Sequence, residues 1–274
     1  LRVPGPGARV LVLAPHPDDE TLGCGGLMHR AVVAGADVYV ALMTNGDASE
    51  LAVIFGQRQL PISKRAYIRL GQARQQETLA AVAKLGVPPD HVYFLSYPNN
   101  GLAKLWQSEH WSYDQLYTSP TTGADHSPYG LSFTPHAPYC GEQVVRDLQA
   151  LLRHVRPTHL FVTHPLDIHP DHWATAAFLR AALRGLGVGP GWWPAETRVY
   201  GYLNHWPRWP VPRLYAPRLA LLPPPDLLAN TNDAWLRLPL SDEDLLLKTA
   251  AIRQYRSQLP RHDRLLLAFS RPNE

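Results

Sequence analysis

The sequence predicts an α/β fold with a mostly parallel central sheet and helices on both faces. Three observations predict it: short β-branched apolar runs, segments of helical period that alternate with them, and polar loops that follow the runs. The first run, 8–14 (ARVLVLA), leads through a polar loop into 20–34, which reads as a helix. A second buried strand over 37–43 (DVYVALM) ends at the turn Asn45-Gly46, and 63–85 carries apolar positions at helical spacing. Residues 91–95 (HVYFL) give a third strand. After a long irregular stretch, 142–154 reads as a helix, 158–163 (THLFVT) as a buried strand and 171–184 as a helix. In the last third, strands are expected at 197–203, 217–222 and 235–240, followed by a helix over 242–256. That region, about 186–274, is expected to extend the sheet and not to form a second domain, so 1–274 reads as one domain. Prolines crowd 194–225, where each removes a backbone donor and favours irregular chain.

Length and composition suit that fold, since 274 residues with 45% hydrophobic content can bury a full core. Charged residues are 18% and the formal net charge is +3, which argues against a nucleic-acid partner. Cys24 and Cys140 make neither a disulfide framework nor a CxxC zinc site, and they leave the redox compartment undecided. No run approaches the roughly 20 apolar residues of a membrane span, and no signal-peptide pattern opens the chain. A cytoplasmic location is the expectation. The chain starts at Leu1 instead of Met, which leaves open a cleaved upstream segment.

Two segments carry chemistry. Ala14-Pro15-His16-Pro17-Asp18-Asp19-Glu20 directly follows the first strand, where open α/β sheets place their ligand crevice. Thr163-His164-Pro165-Leu166-Asp167-Ile168-His169-Pro170-Asp171-His172 also follows a buried strand and leads into a helix. Loop punctuation, with Pro fixing a turn and Asp capping a helix, would account for one such segment. Two of them, each pairing imidazole with carboxylate at a strand end, favour a metal site. A catalytic zinc needs three ligands of these types and one open position.

The pattern PHPDDE followed by HPDH resembles the PIG-L (LmbE-like) family of zinc-dependent N-acetylglucosaminyl deacetylases, which have a Rossmann-like fold. The likeness extends to Asn45-Gly46-Asp47, to Arg74-x-x-Glu77 followed by Leu85-Gly86, and to Lys248, Ala251 and Ser257-Gln258 near the end. It is weak over 104–141 and 186–235. The resemblance implies a Zn2+ held by His16, Asp19 and His172, with Asp18 as general base. It implies that His169 stabilises the tetrahedral intermediate and protonates the leaving amine, and that Asp171 tunes that histidine. These roles are chemically coherent: zinc lowers the pKa of water from 15.7 to about 7, Asp18 takes a proton, and a cationic imidazole meets the oxyanion. One departure stands out. The family usually has an Asp after its third strand that contacts a sugar hydroxyl, whereas Asn99 stands there, within Tyr97-Pro98-Asn99-Asn100-Gly101.

Other residues admit two readings. His164 and Asp167 take a structural role beside the metal in preference to ligation, because the zinc must keep an open position. Arg74 either holds substrate or pairs with Glu77 one helical turn on, and the resemblance favours the former. Cys24 reads as a small buried side chain. The insertion at 104–141 is rich in aromatics, among them Trp106, Trp111, Tyr113, Tyr117, Tyr129, Phe133 and Tyr139. It is either a carbohydrate-facing lid, with Trp106 and Trp111 on the substrate, or an anchored structural loop. The same choice applies to Trp192, Trp193, Trp206 and Trp209, and His205 at a strand end is expected to approach the site. The expected reaction is hydrolysis of the acetamide of an N-acetylglucosamine-type substrate, small or oligomeric. The rivals are an amidohydrolase acting on another N-acyl compound, a non-catalytic metal-stabilised carbohydrate-binding protein, and a nucleotide-binding module. The last is disfavoured because two carboxylates would repel phosphate after the first strand. Homo-oligomers are compatible with the sequence.

Overall fold

The computed structural model describes residues 1–50, 53, 63–187, 197–258 and 265–274. Five parallel strands form its sheet in the order β3-β2-β1-β4-β5: β1 Arg9–Ala14, β2 Asp37–Thr44, β3 Val92–Tyr97, β4 His159–Thr163 and β5 Arg198–Tyr202. Their side chains alternate between two cores, as the period of a strand requires. Val10, Val12 and Ala14 pack with Val38, Val40 and Leu42 against helices α1 (Asp19–Val33) and α2 (Lys64–Lys84). Leu11 and Leu13 face the other way with Ala41, Met43 and Val162, against α4 (Gly141–Val155) and α5 (Pro170–Gly185). Between these lies the one-turn helix α3 (Leu102–Leu105), and α6 (Pro225–Asn230) and α7 (Asp242–Ile252) close the order.

The topology positions the site. The chain runs outward from β1 to β2 and β3, then crosses back to β4 on the other side of β1, so the strand order reverses between β1 and β4. Leu13 is paired with Val162, and the loops leaving these strands therefore stand side by side at their carboxyl ends. Such a switch point opens a crevice in this class of sheet.

Helix α5 begins on the motif itself. His169 caps it by accepting from the Asp171 N–H, and Pro170 fills the first turn, where its missing donor costs nothing. Helix α1 is kinked at Cys24 (φ −137°, ψ 15°), and the two N–H groups just beyond, of Gly26 and Leu27, donate to the Glu274 carboxylate at 2.7 and 2.8 Å.

The C-terminal third corrects the sequence expectation. Among its described residues, only β5 joins the sheet. Residues 217–222 and 235–240 form no strands; instead Leu238 exchanges backbone hydrogen bonds with Glu274, and the Leu240 N–H donates to the Pro272 carbonyl. Prolines at 212, 217, 223–225 and 239 remove the donors a ladder needs. The last helix stops at Ile252, and the turns over 253–258 bring Tyr255 and Ser257 back towards the site. Trp192 and Trp193 lie outside the described residues. Among the described residues, no helix is long and apolar enough to cross a membrane.

Candidate active site

The loop after β1 and the start of α5 bring His16, Asp19 and His172 together. His16 Nδ1 lies 3.0 Å from Asp19 Oδ2, His172 Nε2 lies 3.0 Å from the same oxygen, and the two nitrogens are 3.3 Å apart. Three ligands bonded to zinc at 2.0–2.1 Å in a tetrahedron would be separated by about 3.3 Å. The donor set, two imidazoles and one carboxylate, suits the same ion. Burial pulls the His172 imidazole down, yet Asp19 and Asp167 outweigh it and raise it to about 10. Burial likewise favours a neutral Asp19, but His172 and His16 hold its carboxyl well below the usual range. A buried point that stabilises positive charge this strongly fits a cation. His16, His169 and His172 form one group able to hold a metal, and Asp19, His172 and His205 form another that overlaps it.

Carboxylates behind the triangle fix its rings. Asp171, wholly buried, places Oδ2 3.1 Å from His16 Nε2 and also accepts from the N–H groups of Asn100 and Leu102 at 2.6 and 3.0 Å. Its carboxylate makes no hydrogen bond to His169, which accepts only the Asp171 backbone N–H, but its charge still acts on that ring and raises its pKa. Asp167 plays the matching part for His172, with Oδ2 3.1 Å from Nδ1, and it accepts from the N–H groups of Asn204 and His205. Asn204, which the sequence reading did not single out, donates its Nδ2 to Asp19 Oδ1 at 2.9 Å. No local pattern marks it; only the adjacent His205 hints at its place.

Asp18 turns away from the triangle into the cleft. Its backbone has φ 114°, and its side chain makes no cap to α1, so the carboxylate stays available. Burial raises its carboxyl, Arg74 opposes, and Asp19 and Glu20 add to the rise, leaving it at about 8. Arg74 Nη2 lies 3.2 Å from Asp18 Oδ2 and also donates to the Pro17 carbonyl, while Nη1 donates to Gly46 O at 2.9 Å. Arg74 therefore holds Asp18 and the residue before it. It does not pair with Glu77, which instead accepts from the N–H and hydroxyl of Ser257.

His169 stands with its ring centre 4.8 Å from that of His16 and 5.0 Å from that of His172. Burial, then the charges of His16 and His172, push it down to about 3. Burial and the positive charge on His16 and His172 thus disfavour the cationic form that the sequence reading expected, while Asp171 favours it. The Nδ1 of His169 accepts from the Asp171 N–H, which leaves the proton on Nε2.

The site opens into a cleft of about 290 Å3, and Asn99, Arg74 and His205, which the sequence reading expected on the substrate, are among its lining residues. Its apolar wall comes from the C-terminal third: Trp206, Trp209, Leu266 and Phe269, with Ile168 beside them. Trp106 and Trp111 are not among the lining residues, which corrects their expected place on the substrate. Both pack on Phe178 of α5, at ring distances of 4.9 and 6.2 Å, and anchor the insertion to the core. His164 also points elsewhere, with Nε2 3.1 Å from Asp233 and its ring stacked on Trp235.

Comparison with known proteins bears on this geometry. Residues 11–183 match the family PIG-L, GlcNAc-PI de-N-acetylase, and the span includes both loops. A 1D-myo-inositol 2-acetamido-2-deoxy-alpha-D-glucopyranoside deacetylase of Mycobacterium sp. (strain KMS) is 32% identical over 178 residues, covering 64% of this chain and 50% of its own. The protein of the same description from Nakamurella multipartita is 30% identical over 241 residues, covering 82% and 68%. The chain spans about half the length of the first of these curated relatives. Among solved structures, the N,N'-diacetylchitobiose deacetylase of Pyrococcus horikoshii superposes with a TM-score of 0.55 at 20% identity, over 93% of this chain and 72% of that one. The conserved protein TT1542 of Thermus thermophilus gives 0.51 at 24% identity, over 93% and 82%. At these identities the superpositions speak for the fold.

Proposed function

The chain belongs to the PIG-L family of GlcNAc-PI de-N-acetylases, and from that premise we propose that it hydrolyses the acetamide of an N-acetylglucosamine-type sugar. The products are acetate and the free amine, and the metal is zinc, held by His16, Asp19 and His172. The observation that carries this reading is the triangle of 3.0, 3.0 and 3.3 Å between their ligand atoms. Zinc bound there supplies Lewis acidity for the acetamide carbonyl and a lowered pKa for water.

The chain's own residues divide the remaining work. Asp18 accepts the proton of the attacking water at its carboxylate. Burial favours the protonated form of that carboxyl, which suits it to hold the proton for the departing amine. His169 presents its Nε2–H to the oxygen on which negative charge develops. Asp167 and Asp171 keep the two ligand imidazoles in one tautomer and orientation. Asn99 and the apolar wall of Trp206 and Ile168 receive the sugar and what it carries.

Metal analysis together with acetate release tests the reading. One zinc per chain and turnover of N-acetylglucosamine derivatives are expected. Turnover confined to N-acyl amino acids would keep the centre and reject the sugar, and an inactive, metal-free protein would reject both.

A further inference from the structure

The mechanism leaves unused a buried carboxylate beside the base. Glu20 is wholly buried, does not line the cleft, and makes no side-chain hydrogen bond to the ligand triangle. Its Oε2 accepts from the backbone N–H of Asp18 at 3.1 Å, and its Oε1 accepts from the Thr21 hydroxyl at 2.8 Å and from the Tyr255 hydroxyl. Tyr255 is itself wholly buried, reaches Glu20 from beyond the end of α7, and lies 3.2 Å from the Thr21 hydroxyl oxygen.

The residue these groups grip has a backbone that calls for a grip. Asp18 adopts φ 114°, ψ −34°, a region that side chains other than glycine avoid and that persists only where surrounding contacts over-determine it. Two contacts do so, one from each of two helices. Arg74 holds the Pro17 carbonyl and the Asp18 carboxylate from α2. Glu20, steadied by Tyr255, holds the Asp18 N–H. A third contact ties the two together: Glu77, one turn beyond Arg74 on α2, accepts from the N–H and hydroxyl of Ser257, two residues beyond Tyr255, at 2.8 and 2.7 Å.

We infer that Glu20 and Tyr255 are positioning residues for the base: they fix the backbone of Asp18 so that its carboxylate faces the cleft while adjacent Asp19 faces the metal. A relaxed backbone at Asp18 would swing the carboxylate away from the cleft, and a misplacement of about 1 Å can cost 10²-fold in rate. The inference rests on the reading of Asp18 as base.

Glu20→Gln and Tyr255→Phe test it, the second removing one hydroxyl while keeping the ring in its packing. Both are expected to keep wild-type zinc content and near wild-type melting temperature, to leave KM within about twofold, and to lower kcat by about 10- to 10²-fold. In an Asp18→Asn background, Glu20→Gln is expected to add no further loss, because it acts only through Asp18. Wild-type kcat in both single variants would overturn the proposal, and so would an undiminished loss in the Asp18→Asn background. Wild-type turnover by Asp18→Asn alone would overturn the base assignment itself, and this inference with it.

Discussion

Asp167 places Oδ2 3.1 Å from Nδ1 of His172, on the side of the ring opposite the Nε2 that meets Asp19. A carboxylate behind a ligand imidazole fixes its tautomer and raises its basicity, and loss of such partners costs about 10- to 100-fold in metal affinity or activity. Asp167→Asn is therefore expected to bind zinc about 10- to 100-fold more weakly. Competition against a chromogenic chelator measures this, and unchanged affinity would leave Asp167 as no more than a loop anchor for Asn204 and His205.

Ligand and base differ in what their loss removes. His172→Ala is expected to lose metal and activity together. Asp18→Asn is expected to keep its zinc and slow turnover by roughly 10² to 10⁴, the usual contribution of a positioned base. Metal content measured alongside kcat separates the two, and full zinc occupancy in His172→Ala would refute the ligand assignment.

Asp47 gives a pH dependence independent of the metal triangle. Burial raises its carboxyl from 3.8 to about 6 against the hydrogen bond from Tyr129. Between those values the folded chain holds more protons than the unfolded one. Its contribution to stability is thus fully present below about pH 4 and is lost as pH rises through about 6. The span amounts to at most about 3 kcal/mol. Urea unfolding at pH 4 and pH 7 is expected to show Asp47→Asn gaining on the wild type by about 1–3 kcal/mol as pH rises. A pH-independent difference would contradict the shift.

The two tryptophan groups are expected to behave oppositely. Trp106→Ala should lower stability by on the order of 3 kcal/mol, since its ring packs on Phe178, and leave substrate preference alone. Trp206→Ala should raise KM about tenfold for a substituted or oligomeric N-acetylglucosamine, because Trp206 lines the cleft. Steady-state kinetics on free and substituted sugars decide it; a shift of preference in Trp106→Ala would return the insertion to the substrate.

The sequence by itself determined the five strands of the sheet, the long helices between them, and the two loops whose His and Asp residues form the site, although it also offered two strands after β5 that do not form. These features are local. Strand period, helix period and the punctuation around His16 and His169 act over a few residues and need no partner. It also implied that Asp18 and Asp19 would not face the same point, since neighbouring side chains diverge. The tertiary structure decided what each side chain meets. Asp171 turned to His16 instead of His169, Arg74 to Asp18, and Glu20 to a tyrosine 235 positions away, because crossing connections and helix docking set such contacts. Aromatic content could not tell Trp106 from Trp206 for the same reason. A ring buries its apolar surface equally well against Phe178 or in the wall of a cleft, and only the path of the chain decides which is within reach.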